Sequence, residues 1–266
     1  MQMQMVASTD GTRIAFWQSG QGPPLLLVHG ATADHTTTWR FVLEEFERRF
    51  TVYAMDRRGR GCSGDSAAYD LHREAEDVVA VIDSIGEPVH LLGHSYGGLC
   101  AIEAALLTRN VRRLILYEAV PLRGSDGYQP GVIDRLEAML RGGDVEGMLV
   151  AMFRDLVGMP AEELELLRSQ REAWAVRLGN APTLPRELKA EERYIFSPGR
   201  FAGMRTPTLL LVGGDSPLRE QLNARGVAEA LPDARVAALP GQQHAAMYSA
   251  PEIFVREVVR FLEAEA

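Results

Sequence analysis

The hexapeptide Gly93-His94-Ser95-Tyr96-Gly97-Gly98 stands between the apolar residues 89–92 and a helical pattern that begins at Leu99. This order predicts a strand, a sharp turn and a helix. A serine at the tip of such a turn has a strained backbone that points its hydroxyl away from the sheet. Glycines two residues to either side are required, because a Cβ there would collide with the neighbouring strand and helix. Ser95 is therefore a candidate nucleophile.

Strands and helices alternate on both sides of this turn. Apolar runs predict strands at residues 25–28, 51–55, 114–117, 207–212 and 235–239, and a hairpin joins residues 5–7 to residues 12–17. Helical periodicity covers residues 39–50, 71–85, 99–108, 218–231 and 251–262. Such alternation indicates an α/β fold with a mostly parallel sheet and right-handed crossovers.

The alternation stops between residues 121 and 205. This segment contains no convincing strand, and helical patterns occupy residues 132–141, 145–157, 161–178 and 188–194, separated by glycine and proline. We expect a helical cap at residues 121–205, inserted into a core formed by residues 1–120 and 206–266.

A serine hydroxyl needs a base to accept its proton, usually an imidazole held in one tautomer by a carboxylate. On a strand-turn-helix serine the chain order is Ser, then Asp or Glu, then His. Of the six histidines only His244 follows Ser95. Asp215, which follows the strand at residues 207–212, is the expected acid, and Glu118, which follows the strand at residues 114–117, is the alternative.

Acyl transfer also requires N–H donors for the developing oxyanion. One donor is expected at the backbone of Tyr96, directly after the nucleophile. The other is expected at Ala31, in the loop after residues 25–28, where Gly30 permits close approach.

The glycines of Gly59-Arg60-Gly61-Cys62-Ser63-Gly64 match a dinucleotide-binding pattern and follow a strand. Such a site needs a helix to open at the third glycine, whereas residues 65–70 intervene here, so we expect a surface turn without a nicotinamide cofactor. No histidine has metal-ligand spacing. We expect neither a cofactor nor a metal.

Composition limits the partners. The chain has 266 residues, a net charge of −8 and an isoelectric point near 5.4, which disfavours nucleic acids and anionic membranes as partners. A small-molecule ligand is expected. Two cysteines do not make a disulfide framework, which favours a reducing cytoplasmic location, and no apolar run has the length of a membrane span. Composition leaves open whether the chain is a monomer or a homo-oligomer.

These motifs together resemble the α/β-hydrolase superfamily: His29-Gly30, the loop at residues 56–64, the serine turn, Gly214-Asp215 and the loop at residues 241–244. The resemblance spans nearly the whole chain and is best to esterases and non-haem haloperoxidase-like members with a helical cap. It implies an eight-stranded sheet and a triad of Ser95, His244 and Asp215, with oxyanion donors at Ala31 and Tyr96. In some members the acid follows the sixth strand, as Glu118 does.

The implied activity is hydrolysis of small to medium, partly apolar carboxylic esters through an acyl-enzyme. Lactone hydrolysis, perhydrolysis and carbon–carbon hydrolysis use the same groups and stay open as alternatives. A small-ligand receptor without steady turnover is the alternative from a different class.

Overall fold

The computed structural model describes residues 1–119, 121–123, 126 and 128–264. Eight strands form one sheet in the order β1-β2-β4-β3-β5-β6-β7-β8. They are β1 (Gln2–Ala7), β2 (Arg13–Gly20), β3 (Pro24–Val28), β4 (Thr51–Met55), β5 (Val89–His94), β6 (Val111–Tyr117), β7 (Thr208–Gly213) and β8 (Ala234–Leu239). Strand β2 is antiparallel to both of its neighbours, β1 and β4. All other neighbouring strands in the sheet are parallel: β4–β3, β3–β5, β5–β6, β6–β7 and β7–β8. The predicted mostly parallel α/β sheet is confirmed.

Helices cover both faces of this sheet. They are α1 (Leu43–Glu47), α2 (Leu71–Ile85), α3 (Tyr96–Leu107), α4 (Val132–Arg141), α5 (Val145–Ala151), α6 (Ala161–Ser169), α7 (Arg171–Asn180), α8 (Leu184–Glu192), α9 (Pro198–Phe201), α10 (Leu218–Ala230), α11 (Ala246–Ser249) and α12 (Pro251–Leu262). One π-helical segment, Met152–Val157, continues α5, and a short 3₁₀ turn, Ala181–Thr183, joins α7 to α8.

The core has two layers because side chains alternate across each strand. In β3, Leu25 and Leu27 belong to an apolar cluster with residues of α1, α12 and the helices between β6 and β7. Leu26 and Val28 belong to the opposite cluster with residues of α2, α3 and α10. Strand β3 is buried along its whole length, which explains its uninterrupted apolar sequence.

The helices α4 to α9 lie between β6 and β7, where the sequence predicts an insertion. The segment at residues 161–178 is two helices rather than one, since α6 ends at Ser169 and α7 begins at Arg171. A β-bridge joins Arg123 to Ile195, a pairing too short to leave a strand signal in the sequence. The predicted boundary at residue 120 and the end at residues 265–266 fall outside the described residues.

The predicted helix at residues 39–50 is much shorter in the structure. Only Leu43–Glu47 is helical, and a series of turns precedes it. Those turns still bury Trp39, Val42 and Phe46, so the apolar periodicity reflects burial rather than a continuous helix.

A search of the described helices finds none with the length and apolar character needed to cross a membrane.

Candidate active site

Ser95 lies between β5 and α3 with backbone angles of φ 53° and ψ −132°. The turn is tight on both sides: a Cβ at Gly93 would collide with the backbone of Gly98, and one at Gly97 would collide with the carbonyl oxygen of His29. The residues that flank the serine are therefore restricted to glycine by backbone packing. The backbone N–H of Ser95 donates to the carbonyl of Tyr117 at 2.9 Å, which ties the turn to the end of β6.

The imidazole of His244 is oriented by Glu118. Nδ1 of His244 lies 2.8 Å from Oε2 of Glu118. A carboxylate only accepts hydrogen bonds, so Nδ1 carries the proton and Nε2 is left as the acceptor. The other oxygen of Glu118 accepts the N–H of Gly213 at 2.8 Å and the hydroxyl of Ser216.

Asp215 does not reach this histidine. Its side chain is exposed, and its backbone N–H donates to the carbonyl of Gln242 at 3.0 Å. The turn after β7 directs the next side chain, Ser216, towards the site instead. The pairing of Asp215 with His244 expected from the sequence is therefore corrected to Glu118, the alternative at the end of β6.

The carboxylate and the imidazole shift each other's pKa. Burial alone would raise the pKa of Glu118, but hydrogen bonds from His244, Ser216 and Gly213 outweigh burial and lower it. Burial alone would lower the pKa of His244, but the hydrogen bond and the negative charge of Glu118 outweigh burial and raise it. The pair thus favours an ionised acid beside a basic imidazole.

Three contacts fix the loop that carries His244. Nε2 of His94 donates to the carbonyl of His244 at 3.0 Å, and burial lowers the pKa of His94 well below its usual value, which keeps this ring neutral. The hydroxyl of Tyr117 contacts the carbonyl of Gln243. Glu163 of α6 accepts the N–H of Ala245 at 2.8 Å. The supporting roles of Tyr117 and Glu163 left no signal in the sequence, because each depends on packing between distant segments.

The backbone N–H groups of Ala31 and Tyr96 are available to a ligand. Neither donates a hydrogen bond within the described part of the chain, and both residues line the pocket that contains Ser95 and His244. Tyr96 is the first residue of α3. The N–H groups at the start of a helix have no acceptor within the helix and attract negative charge. The hydroxyl of Ser95 likewise has no hydrogen-bond partner among the described residues.

Backbone strain is concentrated here. Among the described residues other than glycine, positive φ angles occur at Thr32 (60°), Ser95 (53°) and Glu118 (43°). Thr32 belongs to the loop that carries Ala31, and Asn180 of α7 holds this loop by donating to the carbonyls of Thr32 and Ala33 at 3.2 and 3.1 Å. Such strain persists only where the surroundings hold the backbone, and it clusters at functional sites.

Comparison with known proteins identifies the family. The model of the alpha/beta hydrolase family matches residues 25–257. The chain belongs to this family. An alpha/beta hydrolase from Sphaerobacter thermophilus has a similar structure, with a TM-score of 0.84 and 33% identity over 97% of this chain and 100% of that one.

More distant relatives are hydrolases as well. RutD of Azorhizobium caulinodans, whose name suggests a carbamate hydrolase, is 27% identical over 249 residues, 91% of this chain and 92% of that protein. A thermophilic esterase from Thermogutta terrifontis shares the fold at a TM-score of 0.78 and 23% identity, with 98% of each chain covered. The family match and the likeness to RutD support hydrolysis as the general activity, and the Thermogutta structure shows the shared fold.

The cleft of this alpha/beta hydrolase has two arms that meet at Ser95 and His244. The apolar arm, about 440 Å³ with its opening, is lined by Phe153, Met159 and Met247 among others. The polar arm, about 740 Å³ with its opening, extends towards the end of α8 and the start of α10, and its lining includes Glu191, Arg219 and Asn223. Met152 and Val157 contribute to both arms.

A buried ion network lies behind α3, the helix of the hydrolase that follows Ser95. Arg57 makes a two-pronged ion pair with Glu74 at 3.0 and 2.6 Å, and its guanidinium packs 4.6 Å from the centre of the Tyr96 ring. Glu187 of α8 contacts both Arg57 and Arg60. These charged side chains are fully or almost fully buried, so each depends on its partners. The network connects the inserted helices to the helix that begins at Tyr96.

Two further features of the hydrolase, the glycine-rich loop and a cluster of possible metal ligands, have structural explanations. The glycine-rich loop at residues 59–64 is a turn, and α2 begins only at Leu71. Asp34, His35 and Asp56 bring ligand atoms within 4.8 Å of one another. Their carboxylates already accept hydrogen bonds from the neighbouring loop, including 2.7 Å from His35 to Asp56 and 2.9 Å from the N–H of Thr36 to Asp34. These bonds account for the proximity of the three side chains.

Proposed function

We propose that the protein is a serine hydrolase that cleaves carboxylic esters through an acyl-enzyme. Ser95 is the nucleophile, His244 the base and Glu118 the acid. The observation that carries the proposal is the Glu118–His244 hydrogen bond of 2.8 Å at the pocket that also contains the strained Ser95. The unpaired N–H groups of Ala31 and Tyr96 support the oxyanion assignment.

The chemistry follows from these positions. Oγ of Ser95 attacks the ester carbonyl carbon while Nε2 of His244 takes its proton, and the carbonyl electron pair moves to the oxygen held by Ala31 and Tyr96. Collapse of this intermediate expels the alcohol, which takes the proton from His244. Water then attacks the acyl-enzyme by the same steps, releasing the acid and restoring Ser95. The Ser95–His244 hydrogen bond forms when substrate binds, since catalytic contacts tighten in the complex.

The inserted helices serve as a cap in this proposal. Residues of the segment at 121–205, among them Met152 and Val157, line both arms of the cleft beside Ser95. The apolar arm accommodates an alkyl or aryl portion of the substrate, and methionines let its shape adapt.

A fluorophosphonate probe tests the nucleophile directly. We expect labelling of the wild type and of the control Ser169→Ala, whose serine is exposed on α6, and none of Ser95→Ala. Hydrolysis of a short aryl ester should fall by about 10⁴-fold or more in Ser95→Ala, as for other nucleophile knockouts.

The same assay separates the competing functions. Labelling of the wild type with a single turnover of every ester would favour a receptor. Faster turnover of lactones than of open-chain esters of equal size would favour a lactonase. Equal labelling of wild type and Ser95→Ala would refute the proposal.

A further inference from the structure

The polar arm of the cleft contains a carboxylate that the proposed hydrolysis does not use. Glu191 lies near the end of α8 and lines this arm together with Tyr128, Arg219, Glu220 and Asn223. Its charge is close enough to interact with that of His244. A substrate bound at Ser95 and extending into this arm would therefore meet Glu191.

Glu191 differs from the other charges in the arm because no oppositely charged side chain of the described residues contacts it directly. Nε of Arg219 donates to Glu220 at 2.9 Å, and Nη2 of Arg219 donates to the carbonyl of Leu156 at 2.9 Å. Glu118 is paired with His244. Among the described residues no ion pair to the Glu191 side chain is present, and its hydrogen-bonding neighbour is the uncharged hydroxyl of Tyr128. The arm thus contains one carboxylate whose charge is not balanced by a direct contact.

The surroundings of Glu191 disfavour its negative charge in the empty site. Burial, followed by the charge of Glu220, raises the pKa of Glu191 to about 7, although Arg219 opposes this shift. A bound cation would lower the pKa of Glu191 again, because it would supply the missing counter-charge in a site largely shielded from water.

We propose that Glu191 is a specificity residue that selects esters whose polar portion carries a protonated amine. The proposal rests on the proposed function and names the substrate class of the same site. The apolar portion of the ester occupies the arm lined by Phe153 and Met159, the carbonyl lies at Ser95, and the ammonium group reaches Glu191. A substrate with a carboxylate in place of the ammonium is disfavoured, because it would place like charges together beside Glu191 and Glu220.

The test compares esters of equal length that end in an ammonium, a methyl or a carboxylate group, placed first on the acyl side and then on the alcohol side. The measured quantity is the ratio of kcat/KM for the ammonium ester to kcat/KM for the methyl ester. We expect Glu191→Gln to lower this ratio by about 10-fold or more, the effect of removing one charge-assisted hydrogen bond. Glu192→Gln is the matched control, since the neighbouring Glu192 is exposed, and should leave the ratio unchanged.

Calorimetric titration with hexylammonium and hexanoate gives a second readout that needs no turnover. We expect hexylammonium to bind the wild type, Ser95→Ala and Glu192→Gln more tightly than hexanoate, and Glu191→Gln to lose this preference. Ester turnover with the same ratio in Glu191→Gln and wild type, or a wild-type preference for the carboxylate ester, would overturn the assignment of Glu191 alone. Binding of hexylammonium that depends on residue 191, without ester turnover, would support the ammonium site and refute the proposed hydrolysis.

Discussion

Glu118 and Asp215 both follow strands that end at the same edge of the sheet, and only Glu118 contacts His244. The difference arises in the turn after β7, where Gly213 donates its N–H to Glu118 and Ser216 turns its hydroxyl to the same oxygen. The carboxylate of Glu118 is therefore surrounded by three donors, while that of Asp215 faces solvent. Because of this contrast, Glu118→Gln and Asp215→Asn form a matched pair of isosteric substitutions.

We predict that Glu118→Gln lowers kcat for ester hydrolysis by about 10⁴-fold. The amide oxygen would keep the donors Gly213 and Ser216, so the amide NH₂ would face Nδ1 of His244 and favour the wrong tautomer of the imidazole. Asp215→Asn should change kcat by less than about 2-fold, because an exposed side chain away from the site contributes little. Steady-state kinetics of both variants on one aryl ester shows which of the two carboxylates is the acid. The reverse result, with Asp215→Asn inactive and Glu118→Gln active, would show that Asp215 is the acid, as expected from the sequence.

The pH profile gives an independent prediction for the same pair. His244 acts as a base only when neutral, so kcat/KM rises with pH through its pKa, which Glu118 holds above the usual value. Glu118→Gln removes the negative charge and places an amide N–H donor beside Nδ1, which leaves burial as the main influence on the pKa of His244. The ascending limb of the residual activity should therefore move to lower pH in Glu118→Gln and stay in place in Asp215→Asn. An unmoved limb in Glu118→Gln would contradict the pairing.

Sequence reasoning could locate Ser95 and His244 because each is unique in its context: a serine in a strand-turn-helix and the only histidine after it. It could not choose between Glu118 and Asp215. Both follow apolar strands, and the choice depends on which way one turn directs Ser216, a conformation set by contacts with Glu118 and Gln242.

At the scale of elements, the turn between β5 and α3 is fixed by backbone-to-backbone contact. We predict that Gly97→Ala lowers the free energy of unfolding by about 1–3 kcal/mol or more, because its Cβ would overlap the carbonyl oxygen of His29. Gly179→Ala is the control: its Cβ would meet nothing within 4 Å, and the change should leave stability unchanged or raise it by up to about 1 kcal/mol. Urea unfolding measures both. Equal midpoints for the two variants would contradict the close approach at Gly97.

Helix boundaries show what periodicity can and cannot establish. The helices Leu71–Ile85, Val132–Arg141 and Pro251–Leu262 match their predicted bounds, since each has a regular apolar face bounded by glycine, proline or a capping residue. The turns before α1 bury their apolar residues at similar spacing without forming a helix. Periodicity reports burial, and a helix follows only where hydrogen bonding continues.

At the scale of the whole molecule, the inserted helices and the sheet share one apolar cluster. Met148, Trp174 and Leu184 of the insertion belong to the same cluster as Leu25 and Leu27 of β3. The ion contacts of Glu187 add a second connection. The pattern of strands and helices in the sequence predicted both the sheet and the inserted helices. It could not predict the contacts between them, which depend on side chains more than a hundred residues apart.

We predict that the insertion and the sheet unfold together. In hydrogen-exchange pulse labelling across a urea series, peptides from α5 and α8 should lose protection at the same urea concentration as peptides from β3 and β5. Glu187→Gln leaves buried guanidinium groups short of a counter-charge, and loss of one partner in a buried pair costs about 3–5 kcal/mol. In that variant the peptides of α8 should lose protection earlier.

Asp65→Asn is the control for this experiment, because the ion pair of Asp65 with Arg186 is solvent-exposed and should contribute less than about 1 kcal/mol. Early loss of protection in α5 and α8 of the wild type would show that the insertion unfolds on its own.

The position of Glu118 constrains how the specificity of this scaffold can be exchanged. This proposed acid lies just before the chain leaves the sheet for the helices α4 to α9. A chimaera that imports another enzyme's lid must therefore join the two parents downstream of Ala119, or it will discard a member of the proposed triad with the lid it replaces. Libraries that vary residues 121–205 while keeping Glu163 and Asn180, which hold the loops of His244 and Ala31, should keep the chemistry intact and change the choice of substrate.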